Sequence, residues 1–531
     1  MQNYNRLVAK NKKKSNKKKY IFTFIFLFTG VVGASYWINR TFNVATIGVN
    51  NTAFLHTSYK KKAITNLTKK TVQNRKLSSA GAILNLNVEK LVLDNGLTVL
   101  LYEDHTTPTL LTYIQWVKVG SRYEPKGQTG YAHFFEHLLF KGTKNISSEE
   151  LEITTSILGG RNNAFTNYDS TVYYMDLSSA QLEWAVRFEA ERMEKLILFD
   201  PAKRAQAEAL INSERGAVTD EKLRGESSIG ALMFQSLLKV VYKGSGYGHS
   251  IIGSMKDINK STVEDFQAFY TKYYSPNNIV VAIGGDFNSA QAKKWIKQYY
   301  GHIPKNKINS PSFVEPQLVK NTNIFFKDIQ KEKQLNNNKY KLKTVLQSQF
   351  VMSYPGVFIS HNDKPALDLL MSILSGGPAA RLDKTIDVQK NLVSSIYAGN
   401  YPLDKAGILY FGANILPKSS VKEVLSIIEK EIKNLQVNGV SEEELTISKN
   451  RLQMEEVEGL KTVHNKTMGL ITAEVLEGNY QHFFTQLDKY NLVTVKDIQK
   501  VAKKYLQLSK RVLVQALTSD ERVANHKDGQ L

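Results

Sequence analysis

The sequence predicts an α+β fold made of two α/β units of similar build, which follow an N-terminal segment of different character. The chain has 531 residues, more than one hydrophobic core usually organises. Short stretches with the alternation of β-strands are interspersed with longer stretches of helical spacing. The order strand, helix, Gly-Gly, strand, helix runs through residues 109–196 and returns in residues 349–435, so we expect an internal repeat.

The basic character of the chain is concentrated near its N-terminus. The formal net charge is +21, but residues 1–19 and 39–81 each contain eight Lys or Arg and no acid, so the remainder carries little charge. This distribution argues against a nucleic-acid-binding face, and we expect no nucleic acid partner. Residues 1–19 are interpreted as a basic N-terminal segment, and residues 39–86, rich in Asn, Thr and Lys, as a tether.

Residues 20–38 are predicted to cross a membrane. They are nineteen uncharged, mostly apolar residues with aromatic side chains near both ends, which is long enough to span a bilayer. The lysines before them predict that the two units lie outside the cytoplasm, in a bacterial periplasm or at the inner membrane. An alternative is a cleaved secretory signal, since Val32-Gly-Ala34 fits a signal-peptidase site, and the protein would then be secreted.

Residues 87–305 form the first predicted unit. It begins with a β-hairpin around Asp94-Asn95-Gly96, because an Asn-Gly pair between two alternating apolar stretches is a strong turn signal. Pro201 suits the first turn of a long helix that runs to about residue 218. The other predicted strands cover residues 109–119, 171–177 and 279–283, and the other helices cover residues 147–158, 181–196, 230–241, 262–274 and 289–300.

Residues 306–343 are polar and are predicted to link the two units, although a strand could lie within residues 323–326. The second unit is expected over residues 344–520, and residues 521–531 are left as a tail. Its predicted strands cover residues 349–354, 394–399, 407–413 and 512–516. Its predicted helices cover residues 363–375, 421–435, 441–478 and 494–505.

One predicted helix of the first unit carries the pattern of a metal site. His133 and His137 are four residues apart and so project from one face, with Glu136 on the same arc. Two such imidazoles can bind one metal ion, and the carboxylate between them can accept a proton from a water molecule. Thr129 is a plausible N-cap and Gly142 a plausible end of this helix. The chain has no cysteine, so any metal ligands are His, Asp or Glu.

The order His-x-x-Glu-His is that of the inverzincins, and the surrounding motifs resemble those of the pitrilysin/insulinase family of zinc metallopeptidases. The resemblance covers residues 87–517 and is greatest to two-domain members similar to the mitochondrial processing peptidase. Its motifs are Leu93-Asp-Asn-Gly-Leu-Thr-Val, Gly130-Tyr-Ala-His-Phe-Phe-Glu-His-Leu-Leu-Phe-Lys-Gly-Thr143, Gly160-x-x-Asn-Ala-x-Thr166 and Tyr274-Ser-Pro-Asn-Asn278 with Gly285-Asp286. It implies two homologous units, each a mainly antiparallel sheet covered by helices, that face each other as a clamshell.

The resemblance also implies the remaining site residues. The third metal ligand is expected to be Glu214, on the helix opened by Phe199-Asp-Pro201, so that His133, His137 and Glu214 hold one Zn²⁺ per chain. Manganese or cobalt stays open for such a donor set. The family has a supporting acid seven positions before that ligand. Here Ala207 occupies the position, and Glu208 beside it is the candidate for that supporting role.

The activity implied is hydrolysis of peptides or unfolded protein segments by metal-activated water, with Glu136 as the base. Asn163 and Ala164 are expected to bind the substrate as an extended strand. Family members that act alone carry an Arg and a Tyr in the second unit. The corresponding residues here are Asp387 and Ser394, or, in a shifted alignment, Lys390 and Tyr397. We therefore expect a homologous partner subunit that supplies Arg and Tyr, or a homodimer; the alternative is a weakly catalytic scaffold subunit.

Overall fold

The computed structural model describes residues 86–157, 159–308, 320–336 and 343–522. The predicted basic segment, the predicted membrane-spanning segment and all of the tether except residue 86 lie outside these ranges, as does the tail after residue 522. Within the described ranges, every helix is too short or too polar to cross a bilayer.

The first unit is built on a six-stranded sheet with the order β1-β2-β6-β3-β5-β4. Strands β2 and β6 run parallel, and the other neighbouring pairs are antiparallel. The predicted hairpin around Asn95-Gly96 is therefore present as β1 and β2. The strands are β1 (Val88–Val92), β2 (Thr98–Glu103), β3 (Leu110–Val117), β4 (Arg161–Thr166), β5 (Thr171–Ser178) and β6 (Ile279–Gly285).

The helices of this unit include all the predicted ones in their predicted order, but α6 was not predicted and α4 is longer than expected. They are α1 (Tyr131–Leu138), α2 (Ser148–Ile157), α3 (Leu182–Arg192), α4 (Arg204–Gly225), α5 (Ile229–Val241), α6 (Met255–Lys260), α7 (Val263–Tyr273) and α8 (Ser289–Tyr300). Pro201 lies in a 3-10 turn capped by the Asp200 side chain, and α4 continues from there well past residue 218. The extra turns of α4 carry Glu221.

The second unit repeats the topology of the first. Its sheet has the order β7-β11-β8-β10-β9, with β7 parallel to β11 and the other pairs antiparallel, as in β2-β6-β3-β5-β4. The predicted internal repeat is therefore present in the strand connections. The strands are β7 (Thr322–Phe325), β8 (Gln349–Pro355), β9 (Val393–Pro402), β10 (Gly407–Ile415) and β11 (Val512–Ala516).

Two predictions for the second half were wrong. The predicted linker contains the strand that was allowed within it, as β7, but it also contains the unexpected helix α9 (Phe326–Asn336), so this stretch belongs to the second unit. The single helix expected over residues 441–478 is two helices, because Thr462 caps a new one and breaks the run. The helices are α10 (Lys364–Leu374), α11 (Val421–Asn438), α12 (Glu442–Gly459), α13 (Val463–Glu477), α14 (His482–Leu492) and α15 (Val495–Tyr505).

Each unit lends one helix to the sheet of the other. Leu470 and Ile471 of α13 pack on the face of the first sheet that carries Leu100 and Trp116. In return, α5 packs on β8 and β11 of the second sheet. The opposite face of the first sheet packs against α1, α3, α4, α7 and α8, which form the main core. The two units therefore share their cores across both sheets.

Candidate metal and catalytic site

Helix α1 carries the predicted metal motif and is held at both ends by surrounding structure. Its apolar residues Phe134, Phe135 and Leu138 are fully buried, which fixes the face from which the histidines project. The prediction that Thr129 is the N-cap was wrong. The N-cap is Gly130, at φ 92°, which has no side-chain acceptor for the first N–H groups of the helix. The predicted end at Gly142 is confirmed, since a 3-10 turn extends α1 to that glycine at φ 96°.

Glu124 takes the place of a conventional capping residue. Its buried carboxylate accepts hydrogen bonds from the backbone N–H groups of Gly130, at 2.8 Å, and Ala132, at 2.7 Å. A negative charge at a helix N-terminus is favourable because the first N–H groups have no partner within the helix. Burial raises the pKa of Glu124, and these N–H groups partly offset that effect. No local pattern predicts this role, because Glu124 lies six residues before the N-cap and outside the first turn.

Two imidazoles of α1 and one carboxylate of α4 converge on one another. The Nε2 atom of His133 is 3.5 Å from Oε2 of Glu221, and the Nε2 atom of His137 is 3.3 Å from the same oxygen. The three ligand atoms lie within 4.8 Å of one another. Two neutral imidazole nitrogens and a carboxylate oxygen are a common ligand set of catalytic zinc, so the chemistry of these donors fits that ion.

The geometry moves the third-ligand assignment from Glu214 to Glu221. Glu214 faces the other side of His137: its Oε2 atom is 3.4 Å from Nδ1 of His137, and its Oε1 atom is 2.5 Å from Nζ of Lys141. A carboxylate in that position orients the imidazole rather than completing the group at the Nε2 atoms. Glu214 lies seven residues before Glu221, at the spacing expected of the supporting acid.

Glu208 does not reach the site. Its side chain is 53% exposed and pairs with Arg204 on the same solvent-facing side of α4, at 2.7 Å. The supporting role proposed for it was therefore wrong. Ala207, its neighbour, is buried in the main core, so α4 turns the Glu208 side chain away from α1.

Glu136 is held by a hydrogen bond from the first sheet. The hydroxyl of Thr166, at the end of β4, donates to Oε2 of Glu136 at 2.5 Å, and both residues are buried. Burial raises the pKa of Glu136, while the neighbouring His133 and His137 and the Thr166 hydroxyl lower it and so offset part of the rise. Because Thr166 occupies one carboxylate oxygen, the other oxygen of Glu136 stays available to a reacting water molecule.

The acids around His137 keep its imidazole charged. Burial lowers the pKa of His137, but the hydrogen-bonded carboxylates of Glu214 and Glu221 outweigh burial and raise it to about 9. Burial raises the pKa of Glu221, but the two imidazoles outweigh burial and hold it well below its usual range. A divalent cation that binds His137 must therefore displace a proton at neutral pH.

Zinc binding at pH 7.5 is accordingly expected to release about one proton, because a metal ligand must be a neutral imidazole and His137 is charged below pH 9. Zinc affinity should rise by roughly tenfold per pH unit between about pH 7 and 9 and then level off. Isothermal titration calorimetry in buffers with different ionisation enthalpies measures the proton count directly. A binding enthalpy that is the same in every buffer would contradict the prediction.

Strand β4 has the position expected of the peptide-binding edge. It ends the strand order of the first sheet, and it carries both Asn163 and Ala164. The N–H of Asn167 donates to the carbonyl of Ser170 at the turn, so these two residues form a hydrogen-bonded pair. Hydrogen-bonded and non-hydrogen-bonded pairs alternate along antiparallel strands, which makes Ala164 and Tyr173 a non-hydrogen-bonded pair. The Ala164 N–H therefore points away from β5. That N–H donates instead to Oδ1 of Asn163, at 2.8 Å. A carbonyl of an added substrate strand could accept from the Ala164 N–H once the side-chain amide of Asn163 moves away.

The positions considered for the Arg and Tyr pair lie on the second unit. Asp387 and Lys390 are exposed at the end of the helical segment Asp383–Gln389. Ser394 is exposed, and its hydroxyl accepts from Nε2 of Gln347 at 2.9 Å. Tyr397, on β9, is half-buried beside Tyr410, with ring centroids 6.3 Å apart. Both alignments thus leave the pair without an arginine.

The chain is similar to known peptidases along most of its length. A family model described as Insulinase (Peptidase family M16) matches residues 98–253, and one described as Peptidase M16 inactive domain matches residues 260–452. The Zinc protease PqqE of Helicobacter pylori is 27% identical over 431 residues, which are 79% of this chain and 90% of that protein. The mitochondrial-processing peptidase subunit beta of Saccharomyces cerevisiae is 30% identical over 219 residues, which are 41% of this chain and 46% of that protein.

Solved structures show the same fold. A protease from Helicobacter pylori has a TM-score of 0.72 at 24% identity and covers 81% of this chain and 99% of its own. The periplasmic protease PqqL from Escherichia coli has a TM-score of 0.65 at 19% identity and covers 84% of this chain and 50% of its own. The two family models together match well over half of the chain, and the first of them includes the His-x-x-Glu-His helix. The chain therefore belongs to the insulinase/pitrilysin family, peptidase family M16.

Proposed function

We propose that the protein is a zinc endopeptidase that hydrolyses peptides or unfolded protein segments. The observation that carries this proposal is the convergence of His133, His137 and Glu221 beside the buried base Glu136. Relatives named zinc proteases support the choice of metal. We assign His133, His137 and Glu221 as the ligands, Glu214 as the residue that orients His137, and one zinc ion per chain.

The residues divide the work of peptide hydrolysis between them. A bound zinc ion would lower the pKa of a water molecule and polarise the peptide carbonyl. Glu136 would accept the proton of the attacking water and pass it to the leaving amine. Thr166 would keep the Glu136 carboxylate in the orientation for both transfers. Strand β4, through Ala164 and the Asn163 amide, would hold the substrate as an added strand, which favours extended segments over folded ones.

The protein would act outside the cytoplasm, tethered by residues 20–38. The support is the uncharged apolar stretch in the sequence, the lysines before it and the likeness to a protein described as a periplasmic protease. Secretion after signal cleavage is the alternative location. The two units would form the walls of a clamshell, with the site on the first.

A partner would complete the site. The positions that align with the family's Arg and Tyr offer no arginine, and one relative is named as a subunit of a processing peptidase. A homologous chain with Arg and Tyr would therefore supply donors to the substrate; a homodimer is the simpler assembly. The second candidate function is a weakly catalytic scaffold, which the same missing pair favours.

Zinc content and cleavage of unstructured peptides by the full-length chain test the proposal, with and without a candidate homologous partner. We expect close to one zinc ion per chain and cleavage that a chelator removes and added zinc restores. Cleavage that appears only with the partner would support the split site, and full activity of the chain alone would contradict it. Bound zinc without cleavage of a broad peptide mixture, with or without the partner, would favour the scaffold function. A chain that binds no metal would refute both the zinc site and the peptidase activity.

A further inference from the structure

Two equivalent hairpins, one from each unit, meet at their tips. In the repeated topology β4–β5 corresponds to β9–β10, and their turns are residues 167–170 and 403–406. The first turn follows Thr166, which binds the base Glu136. The second turn belongs to the unit without the metal motif. The contact between them is thus a route by which the second unit can act on the base.

Asp169 is the centre of this contact. Its Oδ1 atom accepts from Nε of Arg122, at 2.6 Å, and from the hydroxyl of Tyr247, at 2.8 Å. Its Oδ2 atom accepts from the backbone N–H of Asp404 in the opposite turn, at 3.1 Å. The same Tyr247 hydroxyl accepts from the N–H of Lys405, at 3.1 Å.

Arg122 closes the contact from the other side. Its second terminal nitrogen donates to Oδ2 of Asp404 at 3.2 Å, so one guanidinium bridges carboxylates of both turns. Arg122 and Asp169 are both more than 90% buried, so their charges depend on each other. Moving either partner away would leave an uncompensated charge in the interior, so the pair holds the two turns in one arrangement.

The turn at residues 167–170 transmits this arrangement to Thr166, because its backbone is hydrogen-bonded to the loop at residues 120–122. Asn167 O accepts from Ser121 N at 3.1 Å, and Tyr168 O accepts from Arg122 N at 2.8 Å. A Cβ atom at Gly120 would come within 2.2 Å of Asn167 O, so the loop and the turn have no room to slide. Asp169 is three residues beyond Thr166 in a turn that cannot deform freely.

We propose that Asp169 is a positioning residue, through which the β9–β10 turn of the second unit holds the β4–β5 hairpin so that Thr166 stays against Glu136. The proposal rests on the proposed function for its kinetic consequence alone. The second unit thus contributes to catalysis without contacting the substrate or the metal ligands. Its contribution is the orientation of one carboxylate.

The experiment is a double-mutant cycle in the full-length protein, with its partner if activity requires one. Asp169→Asn keeps the shape of the side chain but removes the charge that binds Arg122. We expect kcat to fall by between about 10- and 100-fold with KM and zinc content little changed, because misplacement of a catalytic group costs this much. The melting temperature should also fall, since Arg122 loses its buried partner, so the rates are compared well below the melting temperature of the variant. In a Thr166→Val background, Asp169→Asn should cost little more, because the route to Glu136 is already cut. Additive losses would overturn the proposal.

Hydrogen exchange followed by mass spectrometry tests the contact without any activity. In Asp169→Asn, amide exchange should become faster in residues 167–170 and 403–406 together, while α1 stays protected. Asp404→Asn is the matched control, because it keeps the backbone donor to Asp169 and weakens only the ion pairs of Asp404 with Arg122 and with the exposed Lys405, so its effect should be smaller. Unchanged exchange in either turn would overturn the proposal. If the wild type cleaves nothing, the proposed function fails, while the exchange result still decides the positioning role.

Discussion

Replacing Glu221 by glutamine is expected to weaken zinc binding by more than about 100-fold. Glu221 is the carboxylate that faces the Nε2 atoms of both His133 and His137, so the change removes the charged ligand itself. Glu214→Gln should weaken binding by roughly 10- to 100-fold, the usual cost of losing a carboxylate that orients a ligand. Glu208→Gln should have no effect. Competition with a chromophoric chelator measures all three affinities in one format.

These three glutamates form a matched set, because all of them lie on α4: Glu214 and Glu221 face His137 at successive positions, and Glu208 points to solvent. The Glu221 side chain is 31% exposed, so its substitution should leave folding intact. Glu214 is more buried and pairs with Lys141, so its variant needs a melting curve before its affinity is interpreted. A larger loss of affinity from Glu214→Gln than from Glu221→Gln would restore the assignment expected from spacing.

The misassignment of the third ligand has an identifiable cause. Glu214 was expected because it lies at the family's spacing after the second histidine, whereas the carboxylate that faces both Nε2 atoms belongs to Glu221, seven residues further along α4. The signal that could have corrected it was the pair of acids seven residues apart. With Glu214 as ligand, the position seven residues earlier is Ala207, whereas with Glu221 as ligand it is Glu214. Seven residues are nearly two helical turns, so both acids face the same side.

Local patterns predicted what depends on local structure. The Asn95-Gly96 hairpin, the metal helix and the repeated strand order follow from turn chemistry and spacing, and all three are present. The exchange of α5 and α13 between the sheets was missed, because it depends on contacts between residues far apart in the chain. Gly284 illustrates this: a Cβ atom there would lie 1.9 Å from the Thr467 hydroxyl of α13. A glycine within a strand predicts a close approach but does not identify the neighbour.

Glu136→Gln is expected to lower kcat by between about 10²- and 10⁴-fold, the usual contribution of a general base, while zinc content stays close to wild type. Glutamine keeps the size of the side chain and can still accept from Thr166, but it cannot take a proton from water. Thr166→Val leaves the carboxylate and removes the hydroxyl that orients it, so its loss should be smaller, and Thr166→Ser should recover most of it. Steady-state cleavage of a fluorogenic peptide, with zinc measured on the same samples, provides the comparison.

The two variants together separate the chemistry of Glu136 from its placement. If Glu136 is the base, its loss cannot be recovered by any change at Thr166, because no other carboxylate lies on that arc of α1. If Glu136 only supports the fold of the site, Glu136→Gln should instead lower the zinc content and the melting temperature, since a buried group that loses its role destabilises its surroundings. Retained zinc with undiminished cleavage would remove Glu136 from the mechanism. Retained zinc with cleavage lost leaves proton transfer as the remaining explanation.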